Sequence, residues 1–210
     1  MRIETVPITT LDGLQLDGDL ALVDHPRAQA VLCHPHPLYG GDRFDGVIDT
    51  LFAALPASGV TTLRFDFRGV NDSQGTHGGG DDERLDVAAC LDLLGSLDAA
   101  LPTWVVGYSF GALVGLNVTH PLIHGWVAVA PPLALAPGLA RAAAPCLAAS
   151  DHRPKHVVLA RHDQFSPPDA TLAVLDAWSH TTTSIIEMAD HFLRGRYAEV
   201  SSTVISAIEE

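Results

Sequence analysis

Residues 103–115 read Thr-Trp-Val-Val-Gly-Tyr-Ser-Phe-Gly-Ala-Leu-Val-Gly. The first six carry no charge and are rich in β-branched and aromatic side chains, which predicts a buried strand over Thr103–Tyr108; a helical pattern follows over Phe110–Thr119. Gly107, Ser109 and Gly111 form Gly-x-Ser-x-Gly at the joint. A serine in that position sits on a sharp, strained turn with its hydroxyl above the sheet. Side chains on either side would collide with the neighbouring strand and helix, a demand that Gly107, Gly111 and Ala112 meet.

The same alternation of short apolar runs and longer helical patterns extends in both directions from this joint. Strands are expected at Ala30–His34, Thr61–Phe67, Thr103–Tyr108, Trp126–Ala130, His156–Ala160 and Ser184–Met188. Helices are expected at Asp45–Ala57, Asp82–Ala99, Phe110–Thr119, Pro168–Trp178 and Leu193–Glu209, with a further short one in Ala136–Ala144. This order is that of parallel strands joined by crossover helices. Ahead of it, Ile3–Thr10 and Leu14–Val23 flank the turn pair Asp12-Gly13 and read as an antiparallel hairpin with one buried face. The sum is an α/β fold, a three-layer sandwich of about eight mostly parallel strands with an antiparallel N-terminal hairpin. In such sheets, sites form at the carboxyl ends of the strands.

With no repeat, charge block or linker, residues 1–210 are read as a single domain. Twelve Lys and Arg against 25 Asp and Glu leave a formal charge of −13, which repels phosphate backbones and anionic lipid heads and argues against nucleic-acid and membrane partners. A hydrophobic share of 47% is too high for disorder, yet no run reaches the ~18 apolar residues of a membrane span. The start, MRIETVPITTLDG, lacks the basic and apolar order of a signal peptide, so a cytoplasmic location is expected. Cys33, Cys90 and Cys146 are widely spaced without a CxxC pair, which fits buried reduced thiols.

A serine hydroxyl is a weak nucleophile at neutral pH and needs a base with an orienting acid. Downstream, Asp163 follows the strand ending at Ala160, and His191 follows the last strand in Met188-Ala189-Asp190-His191-Phe192. The order Ser, Asp, His, each member at a strand's carboxyl end, is that of a serine-nucleophile triad on a parallel sheet. His162 and His180 are the rival bases. Asp190 is the rival acid, although a residue next to the histidine is badly placed to reach the far ring nitrogen, and Asp163 could also serve as a turn former before Pro167-Pro168. An oxyanion hole needs the amide after the nucleophile, here Phe110, and a second from the loop His34-Pro35-His36-Pro37-Leu38-Tyr39-Gly40-Gly41. Pro35 and Pro37 have no N–H. His36 is therefore the expected second donor, with Leu38 and Tyr39 as alternatives; Leu38, Tyr39 and Tyr108 are the expected substrate contacts.

His34 and His36 without a carboxylate or thiolate at suitable spacing do not make a metal site. Gly78-Gly79-Gly80 is followed by Asp81, Asp82 and Glu83, which would repel a phosphate and suit a helix start instead. Arg68, Arg161 and Arg194 are the cations that could admit an anionic substrate, and Arg68, directly after a buried strand, reads as structural.

The phrases CHPHPLYGG, TLRFDFRGVNDSQG, VVGYSFGALVGL and ADHFLRG, at these separations, resemble the small bacterial α/β-hydrolases, relatives of dienelactone hydrolases and acyl-peptide esterases. The resemblance covers almost the whole chain, and the HPHP-x-x-GG loop is its most specific part. It implies the α/β-hydrolase fold, a nucleophile at Ser109, an acid at Asp163, a base at His191, and no metal or organic cofactor. Where such proteins often read His-Gly-x-x-Asp before the acid, this chain has Ala160-Arg161-His162-Asp163. Residues 131–155, where larger relatives carry a lid, read as a short lid-like insertion. The expected activity is hydrolysis of small to medium acyl esters through an acyl-enzyme. A thioesterase, peptidase or perhydrolase on the same residues, or a non-catalytic binding protein on this scaffold, are the alternatives.

Overall fold

The computed structural model describes residues 1–135 and 146–209. The described strands form one eight-stranded sheet: β1 (Arg2–Thr9), β2 (Gln15–Leu22), β3 (Ala28–Cys33), β4 (Val60–Phe65), β5 (Thr103–Tyr108), β6 (Ile123–Val129), β7 (Lys155–Ala160) and β8 (Thr181–Ile186). Their order across the sheet is β1-β2-β4-β3-β5-β6-β7-β8. The pairs β1–β2 and β2–β4 are antiparallel, and the rest are parallel. Asp12-Gly13 makes the expected hairpin turn, with Gly13 at φ 86° and the Leu14 amide held on Thr10 Oγ1 at 2.9 Å.

Helices α1 (Gly46–Ala54), α2 (Glu83–Asp98), α3 (Phe110–Gly115), α4 (Pro168–Leu175) and α5 (Tyr197–Glu209) cover both faces. Because side chains alternate along a strand, Val31 and Cys33 of β3 join Val87, Leu91 and Leu94 of α2 in one core, while Ala30 and Leu32 join Ile48 and Leu51 of α1 and Val204 of α5 in the other. That is the expected three-layer sandwich. No described helix is long and apolar enough to cross a membrane. Cys33, Cys90 and Cys146 are free and buried.

Several element ends differ from the sequence expectation, each for a local reason. Helix α5 starts at Tyr197 rather than Leu193, because Leu193 and Gly195 take left-handed φ of 56° and 76°. Strand β8 runs over Thr181–Ile186 rather than Ser184–Met188, with Met188 turned out at φ 55°. Helix α3 stops at Gly115 rather than Thr119; the Asn117 side chain donates back to Leu113 O and accepts from the Leu147 amide, tying this end to the next loop. Strand β4 ends at Phe65 rather than Phe67: the Asp66 amide still donates to Asp17 O of β2, but the Phe67 amide is given to the His34 ring. Strand β6 begins at Ile123, ahead of Trp126, and α4 ends at Leu175, ahead of Trp178. The short helix expected in Ala136–Ala144 lies outside the described residues.

Acidic residues brace the site end of the sheet. Arg43, on the loop after β3, gives its amide and guanidinium to the fully buried Asp66 and reaches Asp17 at 2.8 Å and Asp19 at 3.3 Å. Burial pushes the Asp66 carboxyl above the ordinary range, opposed by the hydrogen bond from Asn71 and by Arg43. Arg68 is likewise spent on structure, gripping buried Asp86 through its amide and guanidinium and reaching Asp12. Replacing one member of such a set leaves a buried charge short of its partner. Asp66→Asn is expected to lower the unfolding free energy by about 3 kcal/mol, read by urea denaturation; an unchanged midpoint would mean that Arg43 needs only Asp17 and Asp19.

Candidate active site

The joint between β5 and α3 has the geometry that its glycines imply. Ser109 takes φ 53° and ψ −115°, a strained conformation for a residue with a side chain. Its amide is fixed on Val129 O at 2.8 Å. A Cβ on Gly107 would lie 2.5 Å from Ala112 Cα, and one on Gly111 would lie 2.2 Å from Cys33 O. Strand β3 and helix α3 therefore pass too close for any larger residue, and Ser109 is lifted clear of the sheet.

Two residues from distant loops converge on that hydroxyl. Ser109 Oγ lies 2.9 Å from His191 Nε2, and His191 Nδ1 lies 2.8 Å from Asp163 Oδ2. The other carboxylate oxygen, Asp163 Oδ1, accepts from the amides of Phe165 and Ser166 at 2.8 and 2.9 Å. Asp163 is thus turn former and histidine partner at once, one oxygen for each task. With Nδ1–H directed at a carboxylate, Nε2 carries the lone pair and can accept the serine proton. Asp163 and His191 are buried, and Ser109 is half-buried at the surface.

The rivals are elsewhere. Asp190 is exposed and accepts from the Phe192 amide. His162 is exposed, with its amide on Ala189 O, and His180 is exposed just ahead of β8, at the opposite end of the sheet. Arg161 pairs with Glu187, and the Arg194 guanidinium stands 5.5 Å over the Phe192 ring.

On the other side of Ser109 runs the loop after β3. His34 is fully buried; its Nε2 accepts from the Phe67 amide at 3.0 Å and its Nδ1–H donates to Pro35 O at 2.7 Å. Both nitrogens are spent on backbone, and burial pulls the ring down to about 4 from its ordinary 6.5. Pro37–Tyr39 form a short 3₁₀ turn in which the Leu38 amide donates to His36 Nδ1 and the Tyr39 amide to His36 O. Those two amides are engaged, whereas among the described residues nothing accepts from the His36 N–H. The His36 ring packs 4.8 Å from Phe110, the residue whose N–H opens α3. Leu38 and Tyr39 are exposed at the rim. Tyr108 is buried; its hydroxyl donates to His191 O at 2.8 Å, so it supports the histidine's backbone from below.

Features that the sequence did not single out also shape the site. Gln164 Oε1 accepts from the His191 amide at 3.3 Å, and the Phe165 ring stands edge-on 4.9 Å from the imidazole. The glycine run folds over a carboxylate of its own chain: Gly78 and Gly80 each donate at 2.7 Å to Glu83, which is fully buried. A cleft of about 410 Å³ opens between residues 37–42 and 69–77.

The sheet order and the row of serine, histidine and carboxylate define an α/β serine hydrolase scaffold. The sequence profile of the family described as serine aminopeptidase, S33, matches residues 24–163, and the chain belongs to that family. The match takes in Ser109 and Asp163. Among solved structures, an α/β serine hydrolase homologue from Coxiella burnetii superposes with a TM-score of 0.85 at 28% identity, covering 97% of this chain and 96% of that one. XC6422 from Xanthomonas campestris, an α/β serine hydrolase without a lid, superposes with a TM-score of 0.85 at 23% identity over 100% and 94% of the two chains. The protein RP471 of Rickettsia prowazekii is 35% identical over 123 residues, 57% of this chain and 52% of its own. The chain therefore spans about half the length of that curated relative.

The neutral His34 has a consequence for acid stability. A histidine whose folded value lies below its unfolded one contributes fully above about pH 6.5, and the contribution is lost as pH falls toward 4. His34→Gln, with nothing to titrate there, is expected to lose about 3 kcal/mol less than the wild type over that interval, read as urea stability against pH. Parallel profiles for the two proteins would assign the acid lability to other groups.

Proposed function

We propose that the protein is a carboxylesterase acting on small to medium acyl esters through Ser109, His191 and Asp163. The observation that carries the reading is the continuous hydrogen-bonded row from Ser109 Oγ to Asp163 Oδ2, 2.9 and 2.8 Å long, beneath an open rim. His191 Nε2 takes the Ser109 proton as Oγ attacks the ester carbonyl, and Asp163 holds the resulting imidazolium in place. The amides of Phe110 and His36 stabilise the oxyanion. His191 then returns the proton to the departing alcohol. A water, deprotonated by the same nitrogen, releases the acid from the acyl-enzyme. Tyr108 and Gln164 are positioning residues that hold the His191 backbone.

Hydrolysis of a peptide bond is the second reading, and the family's description as serine aminopeptidase favours it. An ester asks less of the site, because an alkoxide leaves with weaker proton assistance than an amine. Parallel panels of acyl esters and aminoacyl anilides separate the two.

Labelling with a fluorophosphonate, which reacts with an activated serine, is expected to add one adduct to the wild type and none to Ser109→Ala by intact mass. Ester turnover should vanish in Ser109→Ala while the far-UV circular dichroism stays unchanged. Asp163→Asn is expected to lower kcat by about 10⁴-fold, as in serine proteases, through loss of the correct tautomer. Asp190→Asn should keep near-normal rates. A reversal of these two would make Asp190 the acid, and no adduct on folded wild type would point to a binding protein.

A further inference from the structure

The cleft of about 410 Å³ beside the oxyanion loop plays no part in the mechanism above. It lies against the site, because one of its walls is His77, whose ring stands 5.0 Å from the His36 ring and 5.4 Å from Phe110. These are the two residues whose amides face the oxyanion in that mechanism. The cleft therefore adjoins the oxyanion side of the site, next to any group carried by an ester bound at Ser109.

Its lining says what that group would be. Leu38 and Val70 supply apolar wall, while Asp42, Asn71, Thr76 and His77 supply polar atoms. Asp42 Oδ1 is taken by the Phe44 amide, leaving Oδ2, and one N–H of Asn71 is taken by Asp66, leaving its second N–H and its carbonyl oxygen. Behind the His77 ring stands a carboxylate: buried Nδ1 lies 2.8 Å from Oε1 of Glu83, which Gly78 and Gly80 hold in place, at an angle that does not make a hydrogen bond. A carboxylate oxygen this close repels a lone pair on Nδ1, so the neutral ring carries its proton there and its lone pair on Nε2. The side chain retains 16% exposure with Nδ1 buried, so the ring meets the cleft through its other edge, the one that includes Nε2. The cleft thus offers acceptors on Asp42, Asn71 and His77 with donors on Asn71 and Thr76, and neither Lys nor Arg is among the described residues that line it. Anions are disfavoured there, and hydroxyl groups can be satisfied.

We propose that this cleft is a subsite for a neutral, hydroxyl-bearing part of the ester, and that His77 Nε2, oriented by Glu83, accepts the hydrogen bond that selects it. The proposal rests on the esterase reading for its substrate, and makes His77 a specificity residue without a part in the bond-breaking steps. Glu83 acts through His77 as a positioning residue.

The test uses pairs of esters that differ by a hydroxyl in place of a methyl: 4-hydroxybutyl butyrate against pentyl butyrate for the alcohol side, and methyl 6-hydroxyhexanoate against methyl heptanoate for the acyl side. The quantity read is the ratio of kcat/KM within each pair, in wild type, His77→Phe and His77→Gln. For the side that occupies the cleft, the ratio is expected to fall about fivefold in His77→Phe, the size of one neutral hydrogen bond, and to be retained in His77→Gln, whose carbonyl can accept in its place. Plain-ester turnover should persist in both variants. Equal ratios in all three proteins, for both pairs, would overturn the proposal. The same pairs titrated by NMR onto Ser109→Ala and onto Ser109→Ala/His77→Phe read binding without turnover. A preference for the hydroxylated ester that disappears with His77 supports the subsite even if no ester is hydrolysed, in which case only the esterase reading fails. The absence of any preference overturns the subsite whatever the turnover.

Discussion

The structure depends on a close approach that leaves no room for a side chain. Helix α3 packs so tightly against the end of β3 that a single carbon added at Gly111 would sit 2.2 Å from Cys33 O, inside bonding repulsion from rigid backbone. The same crowding at Gly107 forces the chain to reverse through one residue, and that residue is Ser109 at positive φ. The strain is held by the surrounding packing: Ser109's amide is tied to β6 through Val129 O, and Ala112, Val114 and Leu116 are buried in one core.

From that fixed point, register does the rest of the alignment. Cys33 pairs with Gly107, Gly107 with Ala128, and Ala128 with Val157, so β3, β5 and β6 end within one residue of one another, while β7 runs on to Ala160. The loops that leave there bring in the His36 amide from one side and Asp163 from the other. His191 arrives after β8, with Tyr108, Gln164 and Phe165 holding its backbone and ring. Each polar partner sits on a strand end or a short loop braced by buried hydrogen bonds, which keeps the atoms of the site within hydrogen-bonding distance.

A chain with a formal charge of −13 would seem to have acid only for its surface, yet the carboxylates that matter are inside. Asp66, Asp86, Glu83 and Asp163 are all buried, and each is satisfied by backbone amides together with a cationic or histidine partner. Two of them face histidines on opposite sides of the nucleophile. The Asp163–His191 pair meets Ser109 directly, while the Glu83–His77 pair stands over the neighbouring cleft. In the proposed reading, one imidazole moves protons and the other reads the substrate.

The sequence by itself determined the architecture, because hydrophobic periodicity and turn residues are local properties: the hairpin around Asp12-Gly13, the strand–turn–helix at Ser109 and the alternating order of elements were all readable from it. Element ends were less readable where left-handed residues such as Leu193 and Met188 carry no glycine to announce them. Ser109, Asp163 and His191 could be named from their places after strands, yet whether Asp163 formed a turn or faced the histidine could not, since the answer was that its two oxygens do both. Only the tertiary structure decided that Tyr108 supports the His191 backbone and that Glu83 lies behind His77. It also decided that Arg43 reaches Asp17, Asp19 and Asp66 together. Those contacts join residues far apart in the chain, and their geometry is set by how the sheet twists and the loops pack, which no short stretch of sequence encodes.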